Sequence, residues 1–278
     1  MKWISVDFSG SDEARELLVG LVAGSGETGA EEVDREDGVV TRVFWPSDRA
    51  GTNLDRLIAA ACARSGAKVS TRGVVERADW LAEWKKHFGP TRASSRFIVC
   101  PPWDVAEPAS GGHVIIINPE MAFGTGTHES TQLALELLEE TVKPGDTVID
   151  VGAGSGILAI AAAKLGAASV LAIEIDEDAI QNARGNCVRN GVEATVEIEE
   201  ADFSKLDVPP ASLVVCNEIA PNLALMLPCL IAASRGGRLI VSGIDALHHD
   251  FARAALASAG LAIIGERQKG EWLALVCV

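Results

Sequence analysis

The segment from Val148 to Gly156 constrains the fold more than any other part of this 278-residue chain. An apolar run, VIDV, ends at Val151 and leads directly into the glycine-rich sequence GAGSG, after which an alanine-rich helical pattern begins. Glycines at such a turn permit positive φ angles and let a ligand approach the backbone, and the start of a helix attracts negative groups. The segment therefore predicts a strand, a ligand-binding turn and a helix.

The pattern after residue 129 alternates between helical and extended periodicity through most of the remaining chain. Helices are predicted over 130–141, 156–165, 177–190, 222–234 and 248–259, and strands over 147–151, 169–174, 194–199, 212–217 and 237–243. Such alternation is typical of strand-helix-strand units on a parallel sheet. We therefore predict a doubly wound, Rossmann-like α/β domain over residues 99–278.

The first 75 residues follow a different rhythm and predict a separate small domain. Strands are expected over 2–8, 39–45 and 68–75, helices over 11–22 and 53–65, and a further strand in the acidic stretch 27–37. This β-α-β-β-α-β order is typical of a ferredoxin-like α+β module. A short helix from Ala78 to Phe88, with Trp80 and Trp84 on one face, precedes a polar loop, so residues 76–98 are interpreted as a linker.

The spacing around the glycine turn distinguishes among nucleotide-binding folds. A dinucleotide fingerprint requires a glycine at position 157, which is Ile157 here, so a nicotinamide-dependent oxidoreductase is disfavoured. The next strand ends at Glu174, 22 residues beyond Gly152, where a carboxylate can accept hydrogen bonds from both ribose hydroxyls. Asp202 ends the following strand region and either reaches an adenine amino group or is a plain surface acid. Together these residues predict a nucleoside site.

Several further segments resemble those of class I methyltransferases that use S-adenosylmethionine, and in particular the bacterial PrmA family. They are NPEMAFGTGTHEST from Asn118 to Thr131, VVCNEIA from Val214 to Ala220, Asp79-Trp80, Trp84-Lys85 and Glu271-Trp272. The resemblance is specific over about residues 76–278 and looser before them. It implies a class I methyltransferase domain whose acceptor is the ribosomal stalk-base protein L-eleven.

The resemblance also implies roles for individual residues. The cofactor-binding set is Thr131, Gly152, Glu174 and Asn217, together with Asp150, Gly154, Phe123, Thr127 and Asp202; Asn217, Trp272 and His128 form the catalytic set. Two departures from the family pattern stand out. Glu174 is found where the family often has aspartate, and the family sequence N-I-L-A reads N-E-I-A here, which introduces Glu218 beside the amine site.

The chemistry requires that an amine be aligned behind the reactive methyl group. We expect the Asn217 carbonyl oxygen to orient the amine lone pair and Trp272 to form an aromatic wall for a cationic amine. His128 is either a proton acceptor or a hydrogen-bonding residue of its loop. Glu218 either attracts the ammonium form of the acceptor or caps the following helix.

Charge supports a basic protein as the partner. The net charge is −15, and residues 99–278 contribute −14 of it, with 10 basic and 24 acidic residues. Such a field suits a lysine-rich substrate and disfavours nucleic acid and anionic membranes. Without an apolar run of membrane-spanning or signal-peptide length, the sequence predicts a cytoplasmic protein, and nothing in it indicates more than a monomer.

The predicted function is transfer of methyl groups to lysine side chains of that ribosomal protein, with its N-terminal amine as a further acceptor, and residues 1–75 recognising the substrate. The alternative is a related enzyme with another protein or a small amine as acceptor. A nucleic-acid base methyltransferase would need an N-P-P-aromatic tetrad at 217–220, and a non-catalytic cofactor-binding module would not need the 123–131 loop. No metal site is predicted, since the adjacent His248 and His249 have no acid or cysteine cluster at ligand spacing.

Overall fold

The computed structural model describes residues 2–22, 29–35, 38–47, 52–76, 88–108, 110–119 and 124–278. The chain divides into two compact units, an N-terminal unit of residues 1–87 and a C-terminal unit of residues 88–278. The short helix expected from Ala78, with Trp80 and Trp84, lies outside the described residues apart from its last position, Phe88.

The N-terminal unit is a four-stranded sheet with two helices. Its strands are Lys2–Ser9 (β1), Gly29–Arg35 (β2), Gly38–Pro46 (β3) and Lys68–Glu76 (β4), and its helices are Asp12–Val22 (α1) and Thr52–Ser65 (α2). The sheet order is β2-β3-β1-β4, and all neighbouring strands are antiparallel. Phe8, Leu18 and Trp45 are fully buried in a core that strands and helices share. The expected order of elements is confirmed, including a strand in the acidic stretch.

A buried ion cluster on β1 stabilises the opposite face of this sheet. Asp7 is 2% exposed and accepts hydrogen bonds from Arg42 Nε at 2.6 Å, Arg42 Nη2 at 3.0 Å and Arg35 Nη2 at 2.8 Å. These guanidinium groups, Arg42 foremost, lower the pKa of the Asp7 carboxyl below its ordinary value near 3.8. The carboxylate therefore joins three of the chain's strands electrostatically.

We expect Asp7→Ala to lower the free energy of unfolding of the N-terminal unit by about 2 kcal/mol at pH 7, because it removes the partner of Arg35 and leaves Arg42 only its 3.4 Å contact with Glu31. Since the folded pKa is depressed, this contribution is present above the unfolded pKa and disappears as the pH falls through the folded one. Urea unfolding at pH 7 and pH 3, followed by tryptophan fluorescence, measures it. Asp12→Ala removes an exposed partner of Arg15 as the control; equal losses in both variants would contradict the account.

The C-terminal unit contains a mixed seven-stranded sheet with helices on both faces. Its helices are Glu129–Thr141 (α3), Ile157–Lys164 (α4), Glu177–Asn190 (α5), Ala220–Ala233 (α6) and His249–Ser258 (α7). Its strands are Thr91–Arg92 (β5), Phe97–Cys100 (β6), His113–Ile116 (β7), Thr147–Val151 (β8), Ser169–Glu174 (β9), Val196–Glu200 (β10), Leu213–Asn217 (β11), Arg238–Ile244 (β12), Ile263–Lys269 (β13) and Trp272–Cys277 (β14). The α/β prediction is confirmed.

The order of the large sheet is β10-β9-β8-β11-β12-β14-β13. The strands from β10 to β12 are parallel, whereas β14 and β13 are antiparallel to their neighbours. Chain order reverses between β8 and β11, and ligands of open α/β sheets bind outside the carboxyl ends of the strands at such a reversal. The topology therefore directs attention to the segments that follow Val151 and Asn217.

Two parts of this unit were not predicted. The hairpin of β13 and β14 completes one edge of the large sheet, and β5, β6 and β7 form a separate three-stranded sheet. None of the helices in the described ranges has the length and apolar character that a bilayer crossing requires.

Candidate active site

The glycine turn after β8 has the backbone conformation that its sequence predicts. Gly152 and Gly156 have φ angles of 73° and 79°, a left-handed conformation that other residues rarely adopt, and α4 begins directly after Gly156. A Cβ atom at Gly156 would lie 3.2 Å from the Cβ of Ala183, so glycine also lets α4 approach α5 closely. A Cβ atom on Gly152 would lie 3.4 Å from Oε1 of Glu218, the residue that follows β11 by one position.

Asp150 supports this turn through a hydrogen bond to α4 and lines neither of the two cavities described below. It is fully buried, and its Oδ2 accepts a hydrogen bond of 2.9 Å from the backbone N–H of Ala159 in the first turn of α4. Its Oδ1 is buried without a hydrogen-bond partner among the described residues. Burial raises the pKa of the Asp150 carboxyl to about 7.

This pKa makes stability depend on pH in a definite direction. The folded pKa lies above the unfolded value near 3.8, so the folded protein retains a proton that the unfolded chain loses, and stability falls as the pH rises from about 4 to 7. We expect Asp150→Asn, which keeps an acceptor for Ala159 but cannot ionise, to be more stable than the wild type at pH 8 by roughly 1–3 kcal/mol and to show no gain at pH 4. Denaturant unfolding across this range measures the difference.

The control is Asp207→Asn, which alters an exposed carboxyl of the same unit. A variant at position 150 that is destabilised equally at pH 4 and pH 8 would contradict the account, since the ionisation of Asp150 would then not be the cause.

Glu174, the last residue of β9, links this strand to the glycine turn through a hydrogen bond. Its Oε2 accepts from the backbone N–H of Gly154 at 2.8 Å, and its Oε1 accepts from those of Ile175 at 2.7 Å and Asp176 at 3.1 Å. Both carboxylate oxygens are therefore held by backbone donors; Oε1 already accepts two bonds, and Oε2 has capacity for one further bond. This is a second role for Glu174, beyond the ribose contact that the sequence predicts.

Glu174 and Asp202 line one cavity of about 270 Å³, which we call the nucleoside cavity. Asp202 accepts hydrogen bonds from the backbone N–H and the hydroxyl of Ser204 and pairs with Lys205 Nζ at 2.7 Å. The ammonium of Lys205 holds the pKa of Asp202 at about 2, so this carboxylate remains ionised. Two of the predicted nucleoside contacts are therefore brought together.

A second cavity, also of about 270 Å³, lies on the other side of Gly152, and we call it the amine cavity. Its wall is formed by Gly124, His128, Ser130, Gly152, Ala153, Gly154, Ile157, Leu158, Asn217, Glu218, Ile219, Gly243 and Trp272. All three predicted catalytic residues are therefore in one wall. Gly152 and Glu218 line both cavities.

Asn217 contributes an unpaired acceptor to the amine cavity. Its Nδ2 donates to Thr131 Oγ1 at 3.4 Å, whereas its Oδ1 is buried with no hydrogen-bond partner among the described residues. A buried acceptor without a partner costs about 1–3 kcal/mol, so such an atom at a cavity wall indicates a site for a donor from a ligand. Thr131 is fully buried behind Asn217 and orients its amide.

His128 and Trp272 form an aromatic corner of the same cavity. Their ring centroids are 4.7 Å apart and the rings are inclined by 68°. His128 Nδ1 accepts from the backbone N–H of Ser130 at 3.3 Å, and this contact caps the start of α3. The arrangement favours the hydrogen-bonding alternative for His128 over the proton acceptor.

Thr127, another residue of the predicted cofactor set, lies elsewhere. Thr127 is exposed, its hydroxyl is 3.0 Å from that of Thr125, and it belongs to neither cavity wall. Phe123 lies outside the described residues. Gly124 is joined to the glycine turn through its carbonyl oxygen, which accepts from Ser155 Oγ at 2.6 Å.

The sequence did not predict a row of asparagines on α5 whose side chains bind the backbone of Ile116, Asn118 and Ser155. Asn182 Nδ2 donates to the carbonyl of Asn118, and Asn186 accepts from the N–H of Asn118 while it donates to the carbonyl of Ser155. Asn190 bonds both backbone groups of Ile116. The spacing of four residues, which places all three amides on one helix face, was the available signal.

The comparisons with known proteins agree with this geometry. A family model described as "Ribosomal protein L11 methyltransferase (PrmA)" matches residues 14–278. The ribosomal protein L11 methyltransferase of Pelotomaculum thermopropionicum is 44% identical over 239 residues, which cover 84% of this chain and 77% of the relative. That of Bacillus cytotoxicus is 33% identical over 312 aligned positions, with 99% of both chains covered.

A solved structure, that of a ribosomal protein L11 methylase from Lactobacillus delbrueckii subsp. bulgaricus, is also similar. It has 34% sequence identity and a TM-score of 0.63, and it covers 69% of this chain and 98% of the other. The match to the Bacillus relative extends over nearly the whole chain and so includes the N-terminal unit as well as the cleft.

Proposed function

The chain belongs to the PrmA family of ribosomal protein L11 methyltransferases, and from this premise we propose that it methylates amino groups of ribosomal protein L11. The acceptors are lysine side chains and the N-terminal amine. The observation that carries the proposal is that Asn217, whose buried Oδ1 has no hydrogen-bond partner among the described residues, lines the same cavity as Trp272. A carbonyl acceptor beside an aromatic face suits an amine nucleophile and its methylated products.

S-adenosylmethionine, the cofactor of this class of methyltransferases, supplies an electrophilic methyl group when it is bound. The described residues fit it, because Glu174 and Asp202 offer acceptors to a nucleoside and Gly152 leaves room that a Cβ atom would fill. We assign its nucleoside to the nucleoside cavity and its amino-acid end to the amine cavity. There Asn217 lines the wall, and Thr131 accepts a hydrogen bond from the Asn217 amide.

The chain's own residues have three tasks toward the acceptor. Asn217 Oδ1 accepts a hydrogen bond from the neutral amine and so directs its lone pair at the methyl group. The apolar side chains of Ile157 and Leu158 reduce hydration of the cavity and favour the neutral amine over its ammonium form. Trp272 offers its ring to the cationic product, and His128 positions that ring. Alignment of the reactants supplies most of the rate enhancement.

We propose residues 1–75 as a ferredoxin-like substrate-recognition domain, 76–98 as a linker and 99–278 as the methyltransferase domain. The sheet order β2-β3-β1-β4 and the division of the chain between residues 87 and 88 support this organisation. The net charge of −14 after residue 98 complements a lysine-rich protein. On this account the enzyme works as a cytoplasmic monomer on the free protein and binds neither RNA nor a membrane.

Peptide mapping of methylated ribosomal protein L11 tests the acceptor chemistry. We expect each added methyl mass on a lysine or on the N-terminal amine, and no transfer to ribosomal protein whose amines have been acetylated beforehand. Methylation of the acetylated protein would contradict an amine acceptor. Equal transfer to a small amine, such as free lysine, would favour the alternative of a related enzyme with a different substrate.

A further inference from the structure

Glu218 lies where the two cavities of the cleft meet. Among the described residues only Gly152 and Glu218 line both cavities, with Gly152 as the floor. The Oε1 atom of Glu218 is 3.4 Å from the position that a Cβ on Gly152 would occupy. The carboxylate therefore overhangs the passage between the nucleoside cavity and the amine cavity.

The position of this carboxylate is well fixed. The backbone N–H of Glu218 donates to Ser242 at 3.0 Å, and its Oε2 accepts from the N–H of Ile219 at 3.2 Å and from Asn222 Nδ2 at 3.0 Å. A Cβ atom on Gly243 would lie only 2.6 Å from the Glu218 carbonyl oxygen, so β12 also holds the backbone in place. A carboxylate fixed in this way is preorganised for a ligand.

The bonding of Glu218 leaves part of its charge available. Only Oε2 takes part in the hydrogen bonds to Ile219 and Asn222 at the start of α6, and Oε1 is directed over Gly152. Within the described part of the chain, no lysine, arginine or histidine forms an ion pair with Glu218. The passage between the cavities therefore carries negative charge at Oε1 of Glu218.

A ligand with its nucleoside in one cavity and its amino-acid part in the other must have its connecting group beside this atom. In S-adenosylmethionine the connecting group is a sulfonium cation, whereas in the product S-adenosylhomocysteine it is a neutral thioether. We propose that Glu218 makes the cleft selective for the cationic cofactor over its neutral product. The family that this segment resembles often has isoleucine at this position, and the inference rests on the cofactor assignment proposed above, not on the acceptor.

The test is the ratio of two dissociation constants, that of S-adenosylhomocysteine divided by that of S-adenosylmethionine, measured by calorimetry without any acceptor. We expect this ratio to fall about tenfold in Glu218→Gln, because a partly solvated charge pair at contact distance contributes on that order. Glu218→Ile, the family residue, should lower it similarly. Sinefungin, which carries an ammonium group in place of the sulfonium, should lose affinity in parallel with S-adenosylmethionine.

The matched control is Glu193→Gln, which removes one exposed carboxylate at the amino ends of the strands, remote from the cleft. It should leave the ratio unchanged. Equally weakened binding of both nucleosides in Glu218→Gln would overturn the proposal, because Glu218 would then only order the start of α6 through Ile219 and Asn222. An unchanged ratio with an altered KM for the acceptor would also overturn it, because the carboxylate would then serve the incoming ammonium. Wild-type protein that binds neither nucleoside would contradict the cofactor assignment itself.

Discussion

Asn217→Ala should lower kcat about 100-fold or more, while the dissociation constant of S-adenosylmethionine rises by less than about tenfold. The reason is that Asn217 Oδ1 is a buried acceptor without a partner, held in the wall of the amine cavity by the bond from its amide to Thr131. Removal of this atom leaves the amine lone pair without a fixed direction. Single-turnover transfer of labelled methyl, together with calorimetric binding, separates the two effects.

The same substitution should change stability little, because the removal of a buried acceptor without a partner offsets the loss of the long bond from Nδ2 to Thr131. An unchanged melting temperature would therefore distinguish a catalytic role from a structural one. Gln181→Ala is the matched control, since Gln181 carries an exposed amide on α5 and is in the wall of neither cavity. Near-normal turnover and unchanged cofactor affinity in Asn217→Ala would contradict the role assigned here.

Glu174→Gln should weaken cofactor binding by about 100-fold, the second large effect. Glu174 accepts three backbone N–H groups, one of them from Gly154 in the glycine turn. A glutamine has the same shape, but one of its two terminal atoms is a donor and would face a donor of the backbone. The turn must then shift, and the ribose also loses a charged acceptor. Calorimetry with S-adenosylmethionine measures the loss.

Glu174→Asp provides the matched control. Aspartate keeps both acceptor oxygens and is the residue that the family often carries at this position, so we expect cofactor affinity within about tenfold of the wild type. If the glutamine variant bound the cofactor as tightly as the aspartate variant, the hydrogen bonds to the glycine turn would not be what orders the site.

The features that sequence predicted correctly are local ones. The strand, turn and helix around Gly152 follow from a short apolar run and from glycines that permit positive φ angles. Glu174 was located by its distance from that turn, because strand and helix lengths in such units vary little. The element order of the N-terminal unit follows from periodicity in the same way.

The features that sequence did not predict depend on tertiary contacts. Trp272–Cys277 is apolar at every position, and such a run does not distinguish a strand from a buried helical segment. Its neighbour Ile263–Lys269 is a largely exposed edge strand with little apolar alternation. The isolation of Asp150 Oδ1 and of Asn217 Oδ1 depends on which groups surround them after folding, which no spacing rule specifies.

The proposed methyl transfer depends on the order of the strands in the large sheet. The reversal of chain order between β8 and β11 brings Gly152 and Asn217 to the same edge of the sheet. The nucleoside cavity lies on one side of this point and the amine cavity on the other. In the proposed mechanism, a methyl group held between them faces the amine cavity, where the aromatic corner and Asn217 favour an amine acceptor.

The most direct test of this account is transfer of labelled methyl from S-adenosylmethionine to purified ribosomal protein L11, followed by intact mass. It should be performed with the full chain and with a chain that begins at residue 76. We predict successive additions of one methyl mass by the full chain, and slower or no transfer without residues 1–75. A full-length chain that binds the cofactor but transfers no methyl group to this protein would contradict the account.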